Sequence, residues 1–169
     1  HVDAVIGGIM HNYSDVHVVL VGDEAGKILE VGHENNPRVH CKSGEWTIRE
    51  SMAFAEVADV VVGTETGLIN AIGCMDIPKV INLSHSSPEM LTKHWRNVTV
   101  LQQPHGVGCP KSPCRQLHGG SGFNSWLDCP KHEETGTALC QFHIEPDMVW
   151  QAIKAVLGEP KVVQIRKAA

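Results

Sequence analysis

The sequence predicts an α/β domain built on a doubly wound parallel sheet. Three observations carry this reading. Short β-branched runs alternate with helix-patterned segments from Val2 to Leu101. The runs are continuous rather than polar/apolar alternating, as in strands buried on both faces. Right-handed crossovers through the intervening helices would then lay the strands parallel.

Taken in order, Val2, Val5, Ile6, Ile9 and Met10 recur at helical spacing and predict an opening helix. After an Asn12–Asp15 turn cluster, Val16 to Val21 reads as a buried strand closed by Gly22 and Asp23. Glu24 to Val31 reads as a short helix with Gly32 as its stop, and Arg38 to Cys41 as a second strand. Thr47 and Glu50 have capping-box spacing and introduce a helix carrying Ile48, Met52, Phe54, Ala55 and Val57. Val60 to Val62 is the third strand, Gly63 to Gly67 a turn, and a helix follows from Gly67 to about Cys74. Lys79 to Leu83 is the fourth strand. Ser87 and Pro88 place a cap and a first-turn proline before a short helix, Glu89 to Trp95. Val98 to Leu101 is the fifth strand. Residues 104–143 show no sustained periodicity, and a segment of that length needs either a function or an internal staple. The closing helix, Glu145 to Leu157, is opened by Pro146 and stopped by Gly158 and Pro160, with a short basic tail from Lys161.

Composition bounds the function. The chain has 169 residues, 42% hydrophobic and 20% charged, so residues 1–169 form one globular domain. A formal charge of −5 lacks the basic footprint of a nucleic-acid binder. No apolar run approaches the ~18 residues of a membrane span, and the first ten residues lack a secretory pattern. With 5% aromatics, the core must rest on aliphatic side chains.

In a sheet of this kind ligands bind beyond the carboxyl ends of the strands. Two strand ends stand out: VVLVGDEAG at 18–26 and VVVGTETGLINAIG at 60–73. In the second, a buried strand ends at Gly63, a tight turn of Thr64, Glu65 and Thr66 follows, and Gly67 admits the chain into a helix. The amides of Thr66, Gly67 and Leu68 are expected to point outward without intrahelical partners, reinforced by the helix dipole. Gly67 lets an anion approach the backbone, and the Thr64 and Thr66 hydroxyls add donors, so the turn is a candidate phosphate site. The plainer alternative is an N-cap and a turn. The motif is neither GxGxxG nor a Walker loop, which disfavours a dinucleotide oxidoreductase or an NTPase.

The segment ADVVVGTETGLINAIGCMDIPKVINL resembles the C-terminal half of the lipopolysaccharide heptosyltransferases, glycosyltransferase family 9. Glu65, Thr66 and Gly67 stand at that family's Asp-Thr-Gly positions, and Asn70 stands where the family usually has His. LSHSSPEMLTKHW resembles the loop and helix after the next strand, and TIRESMAFAEVADVVVG the helix that precedes the motif. VGCPKSPC, Cys129 and CQFHIEPDMVWQAI resemble the family's Cys-containing loop and closing helix.

The resemblance implies a Rossmann-like domain, one half of a GT-B architecture, with a Cys-rich loop before the last helix. It implies that the chain holds a nucleotide-diphosphate sugar, ADP-heptose-like or other, at Thr64, Glu65, Thr66, Gly67, Leu68 and Asn70, without a cofactor for catalysis. The saccharide acceptor and the catalytic base would belong to an N-terminal domain, so no catalytic residue is assigned and the isolated chain is expected to bind a donor rather than transfer sugar. The site of action would be cytoplasmic, at or near the inner membrane surface. Glu65 for Asp and Asn70 for His leave the donor's identity open. His85, Lys93 and His94 are candidates for the missing positive charge, and Gly22, Asp23 and Glu24 for ribose or sugar contacts.

Cys109, Cys114, Cys129 and Cys140 cluster in the irregular segment. Their spacing fits a structural zinc site, with His105, His118, His132 and His143 as spare ligands, and also fits free thiols or disulfides. Cys41 and Cys74 read as core residues. Two other function classes share these features: a nucleotide-sugar epimerase half, and a non-catalytic zinc-stabilised interaction module.

Overall fold

The computed structural model describes residues 1–104, 106–114 and 129–159. His105, His118, Pro160 and the tail from Lys161 lie outside the described residues. The chain runs α1 (Val2–Asn12), β1 (Val18–Leu20), a 3₁₀ helix (Glu24–Leu29), β2 (Val39–Cys41), α2 (Ile48–Ala55) and β3 (Val61–Thr64). It continues through α3 (Gly67–Ala71), β4 (Lys79–Asn82), a π-helical turn (Pro88–Thr92), β5 (Val98–Leu101), α4 (Leu139–Phe142) and α5 (Pro146–Leu157). Among the described residues no helix is long and apolar enough to cross a membrane.

Every named strand pairs in parallel, as expected. The ladder is divided, however, into a β1–β2 pair and a β3–β4–β5 sheet rather than one continuous sheet. Local pattern dictates strand type, and the helical crossovers dictate direction. Which edges meet is decided by packing.

Strand β4 shows how the two faces are covered. Its side chains alternate with period two. Val80 is fully buried on one face with Ile9 and Tyr13 from α1 and its end, and with Val149, Ala152 and Ile153 from α5. Ile81 and Leu83, just past the strand, are fully buried on the other face with Ala55 of α2, Ile69 of α3 and the nearby Ile72 and Ile77. Helices thus cover both faces, as the continuous apolar run predicts.

The connections add polar locks. The full capping box forms at α2: the Glu50 amide donates to Thr47 Oγ1 at 3.3 Å, and the Thr47 amide donates to Glu50 Oε2 at 2.7 Å. Arg38, ahead of β2, donates to the Met10 carbonyl at 2.7 Å and to the Tyr13 carbonyl, satisfying the carboxyl end of α1.

Several boundaries differ from expectation. β3 extends through Thr64 because Gly63 and Thr64 pair with Ile81 and Asn82. α3 stops at Ala71, and Gly73 then packs so closely on Trp95 that an added Cβ would stand 2.5 Å from the ring. Cys74, just after that turn, is exposed and Cys41, at the end of β2, is half-buried, correcting their assignment to the core. Inside the irregular segment the chain forms α4 and an antiparallel bridge between Lys131 and Ala138.

Candidate functional site

At the carboxyl end of β3 the chain turns through Glu65 and Thr66 into α3. Thr64, Thr66, Gly67 and Asn70 are exposed, and a Cβ added at Gly67 would meet nothing within 4 Å. The mouth of α3 is therefore open. The Gly67 and Leu68 amides are the first two of the helix and have no intrahelical acceptor. The Leu68 side chain packs into the core beneath α2 and α3, so only its backbone faces the mouth. Thr66 departs from expectation: its amide donates back to the Thr64 carbonyl at 2.7 Å, while its hydroxyl makes no capping bond.

Glu65 also departs from the role of a simple ligand contact. Its side chain is only 5% exposed. One oxygen, Oε2, accepts from the Ser84 amide at 2.9 Å, the His85 amide at 3.3 Å and the Ser84 hydroxyl, and lies 3.1 Å from His85 Nδ1. The other oxygen accepts from the Ser86 amide at 2.8 Å. The carboxylate thus ties the β3–α3 turn to the loop that leaves β4. From its other side this loop is held by Ser112, whose hydroxyl donates to the Ser84 carbonyl at 3.1 Å, and by Gln102, which donates to the Ser86 carbonyl at 2.6 Å.

Between these elements lies an open cleft of about 190 Å³ lined by Thr64, Glu65, Ser84, His85 and Gln141. Lys93 and His94 are exposed beyond the π-helical turn and do not line it; His85 does. Ser84, His85 and Glu65 do not form a nucleophilic triad. Ser84 Oγ stands 3.3 Å from His85 Nδ1, the same ring nitrogen that faces Glu65, so the imidazole is not placed between hydroxyl and carboxylate. At the foot of the cleft, Gln141 of α4 donates to the Asn82 carbonyl at 3.5 Å. Sequence reading misses Gln102, Ser112 and Gln141. The serine-rich SHSS run next to a buried-strand end was the available signal for the loop, but no local pattern names its anchors.

The second predicted cluster is bound up locally. Asp23 Oδ1 caps the 3₁₀ helix, accepting from the Ala25 and Gly26 amides at 3.0 and 3.2 Å. Glu24 pairs with Lys27 at 2.7 Å, and the Gly22 carbonyl accepts the Gly44 amide at 2.9 Å. Nearby, buried Glu30 accepts the Ser43 amide at 2.7 Å. Burial works to raise the Glu30 carboxyl, but hydrogen bonds from Ser43 and Lys42 outweigh it and hold the group below its ordinary range.

The four clustered cysteines are free thiols, and Cys129 and Cys140 are held above the ordinary thiol range, by burial first and then by neighbouring cysteines. Burial first, then the Cys109 and Cys129 thiols, push Cys140 up to about 11. The Lys131–Ala138 bridge and the bond from the Leu139 amide to the Pro130 carbonyl bring the segment after Cys129 alongside the start of α4, which carries Cys140. Among the described residues, however, no three His, Cys, Asp or Glu side chains form a group that could hold a metal ion. Of the spare ligands, His132 stacks on Phe142 at 3.7 Å, and His143 packs against Gly108.

No protein-family model matches the chain, and no curated protein matches it. Among solved structures it is similar to E. coli ADP-heptose LPS heptosyltransferase II, with a TM-score of 0.61 at 15% identity over 92% of this chain. The chain spans 40% of that enzyme's length. At this identity the likeness concerns the backbone, and it agrees with the fold expected from the GTETG segment. The chain has a heptosyltransferase-like, Rossmann-type α/β fold, with parallel strands flanked by helices.

Proposed function

We propose that this chain is the donor-binding half of a sugar-nucleotide-dependent glycosyltransferase. In this reading the diphosphate of the donor sits at the mouth of α3, against the Gly67 and Leu68 amides and the Thr64 and Thr66 hydroxyls, with the sugar toward the cleft. The single observation that carries it is the open, exposed start of α3 beside a cleft at the carboxyl ends of two parallel strands. Backbone donors and the helix end supply partial positive charge, so the reading asks for no cofactor. In transfer, an acceptor hydroxyl attacks the anomeric carbon and the nucleoside diphosphate leaves. Donors aimed at the departing phosphate oxygens stabilise the charge that develops there. The acceptor and the base that takes its proton are assigned to a partner domain, and a cytoplasmic place of action belongs to the same proposal.

Calorimetric titration with ADP, UDP and GDP tests this directly. One of the three is expected to bind, and Gly67→Val to weaken that binding about tenfold, or about 1.4 kcal/mol. The added side chain meets open space in the protein, so the fold should persist while the anion is held off. Absence of binding by all three at millimolar concentration would defeat the proposal, and unchanged affinity in the variant would move the anion site elsewhere.

A further inference from the structure

The loop that leaves β4 presents three successive amides, from Ser84, His85 and Ser86, to one point. Such a run of converging N–H groups is an anion-binding concavity. Here the anion is supplied from within, by the Glu65 carboxylate. A carboxylate has about four lone-pair sites, and four protein donors already converge on this one, three amides and the Ser84 hydroxyl, with His85 Nδ1 a further 3.1 Å neighbour. With its side chain 5% exposed, Glu65 has little left to offer a ligand. The groups that line the cleft beside it, Ser84 and His85, are the ones it holds.

We infer that Glu65 is a positioning residue: its carboxylate fixes the Ser84–His85–Ser86 loop as one wall of the cleft and orients the His85 ring there, so that the loop, not Glu65, meets the ligand. The ligand's class rests on the sugar-nucleotide reading above. The loop's other ties agree with a wall built to stay in place. Ser112, itself buried, holds the Ser84 carbonyl, and Gln102 holds the Ser86 carbonyl. The methylene that separates Glu from Asp supplies the reach.

Two measurements on the full chain test this in wild type, Glu65→Gln and Glu65→Asp. The first is the ¹⁵N spectrum of histidine-labelled, ligand-free protein, with His85 assigned by its loss in His85→Gln, together with amide exchange at residues 84–86. Both Glu65 variants should shift the His85 ring nitrogens and speed exchange at the three amides, while helix content is retained. The second is affinity for whichever of ADP, UDP or GDP the wild type binds, which should fall about tenfold in both variants. Unchanged His85 nitrogens and unchanged loop exchange would overturn the inference. So would unaltered affinity, or tighter binding, which would make Glu65 a placeholder that competes with the ligand. If the wild type binds no nucleotide, the proposed function fails, yet the ligand-free spectra still decide whether Glu65 holds the loop.

Discussion

Glu30 and Lys79 show what burial does to a single ionisable group when its partners differ. Glu30 accepts the Ser43 amide, and its hydrogen bonds more than offset its burial, so its carboxyl titrates below the ordinary range. Lys79 is 1% exposed and donates to the Met75 and Ile77 carbonyls at 2.7 and 2.6 Å, but burial wins and its ammonium is held below the ordinary lysine range. Near neutrality the two shifts act oppositely, Glu30's favouring the folded chain and Lys79's opposing it, although both make stability rise with pH across their own titration ranges. The depressed Glu30 carboxyl contributes stability that is complete above the unfolded glutamate range and is lost as pH falls through the folded value. Glu30→Ala should therefore cost roughly 1–3 kcal/mol near neutrality, mostly through the unpaired Ser43 amide and the lost charge. The gap between variant and wild type should shrink on acidification. Urea midpoints across an acidic pH series measure it, and a gap independent of pH would contradict the assignment. Neither residue could be picked from the sequence, where each is one charge among many.

At the scale of elements, much was legible in local pattern. The Val2–Met10 periodicity, the Thr47–Glu50 cap and the Val98–Leu101 run each appear within a few residues of where they were expected. These signals are local: side-chain spacing, capping chemistry and β-branching act within one or two turns of chain. The misses share a cause. β3 gains Gly63 and Thr64 from pairing with β4, and α3 is cut short where Gly73 meets Trp95. Both depend on residues distant in sequence. A matched pair of substitutions separates the local from the tertiary role of glycine. Gly7→Ala, in α1 with nothing within 4 Å of the new Cβ, should raise stability by about 0.5–1 kcal/mol. Gly73→Ala, where the Cβ would lie 2.5 Å from the Trp95 ring, should lower it by roughly 1–3 kcal/mol. Chemical denaturation with tryptophan fluorescence reads both, and equal effects at the two sites would refute the close-approach argument.

For the whole molecule, the arrangement that matters is a sheet covered on both faces with its strand ends left open at one edge. Apolar burial by α1 and α5 on one side and α2 and α3 on the other makes the scaffold. The cleft uses the ends that this packing leaves unfilled. If a nucleotide diphosphate binds there, folding and binding are linked by mass action. At a ligand concentration about a hundredfold above Kd, unfolding free energy should rise by about 2.7 kcal/mol, read as a ligand-dependent rise in Tm. A Tm indifferent to ADP, UDP and GDP alike would agree only with a domain that does not bind them. What the amino-acid order determined by itself was the order of the principal strands and helices, their parallel sense and the strand-to-helix turn that leads into Gly67, because each follows from short-range sterics, capping and side-chain periodicity. Tertiary structure alone decided that Glu65 turns inward to hold the Ser84–Ser86 loop, that Ser112 and Gln102 secure that loop from outside, and that the sheet divides between two ladders. Those outcomes require groups far apart in the chain to meet, and nothing in the local pattern specifies such a meeting.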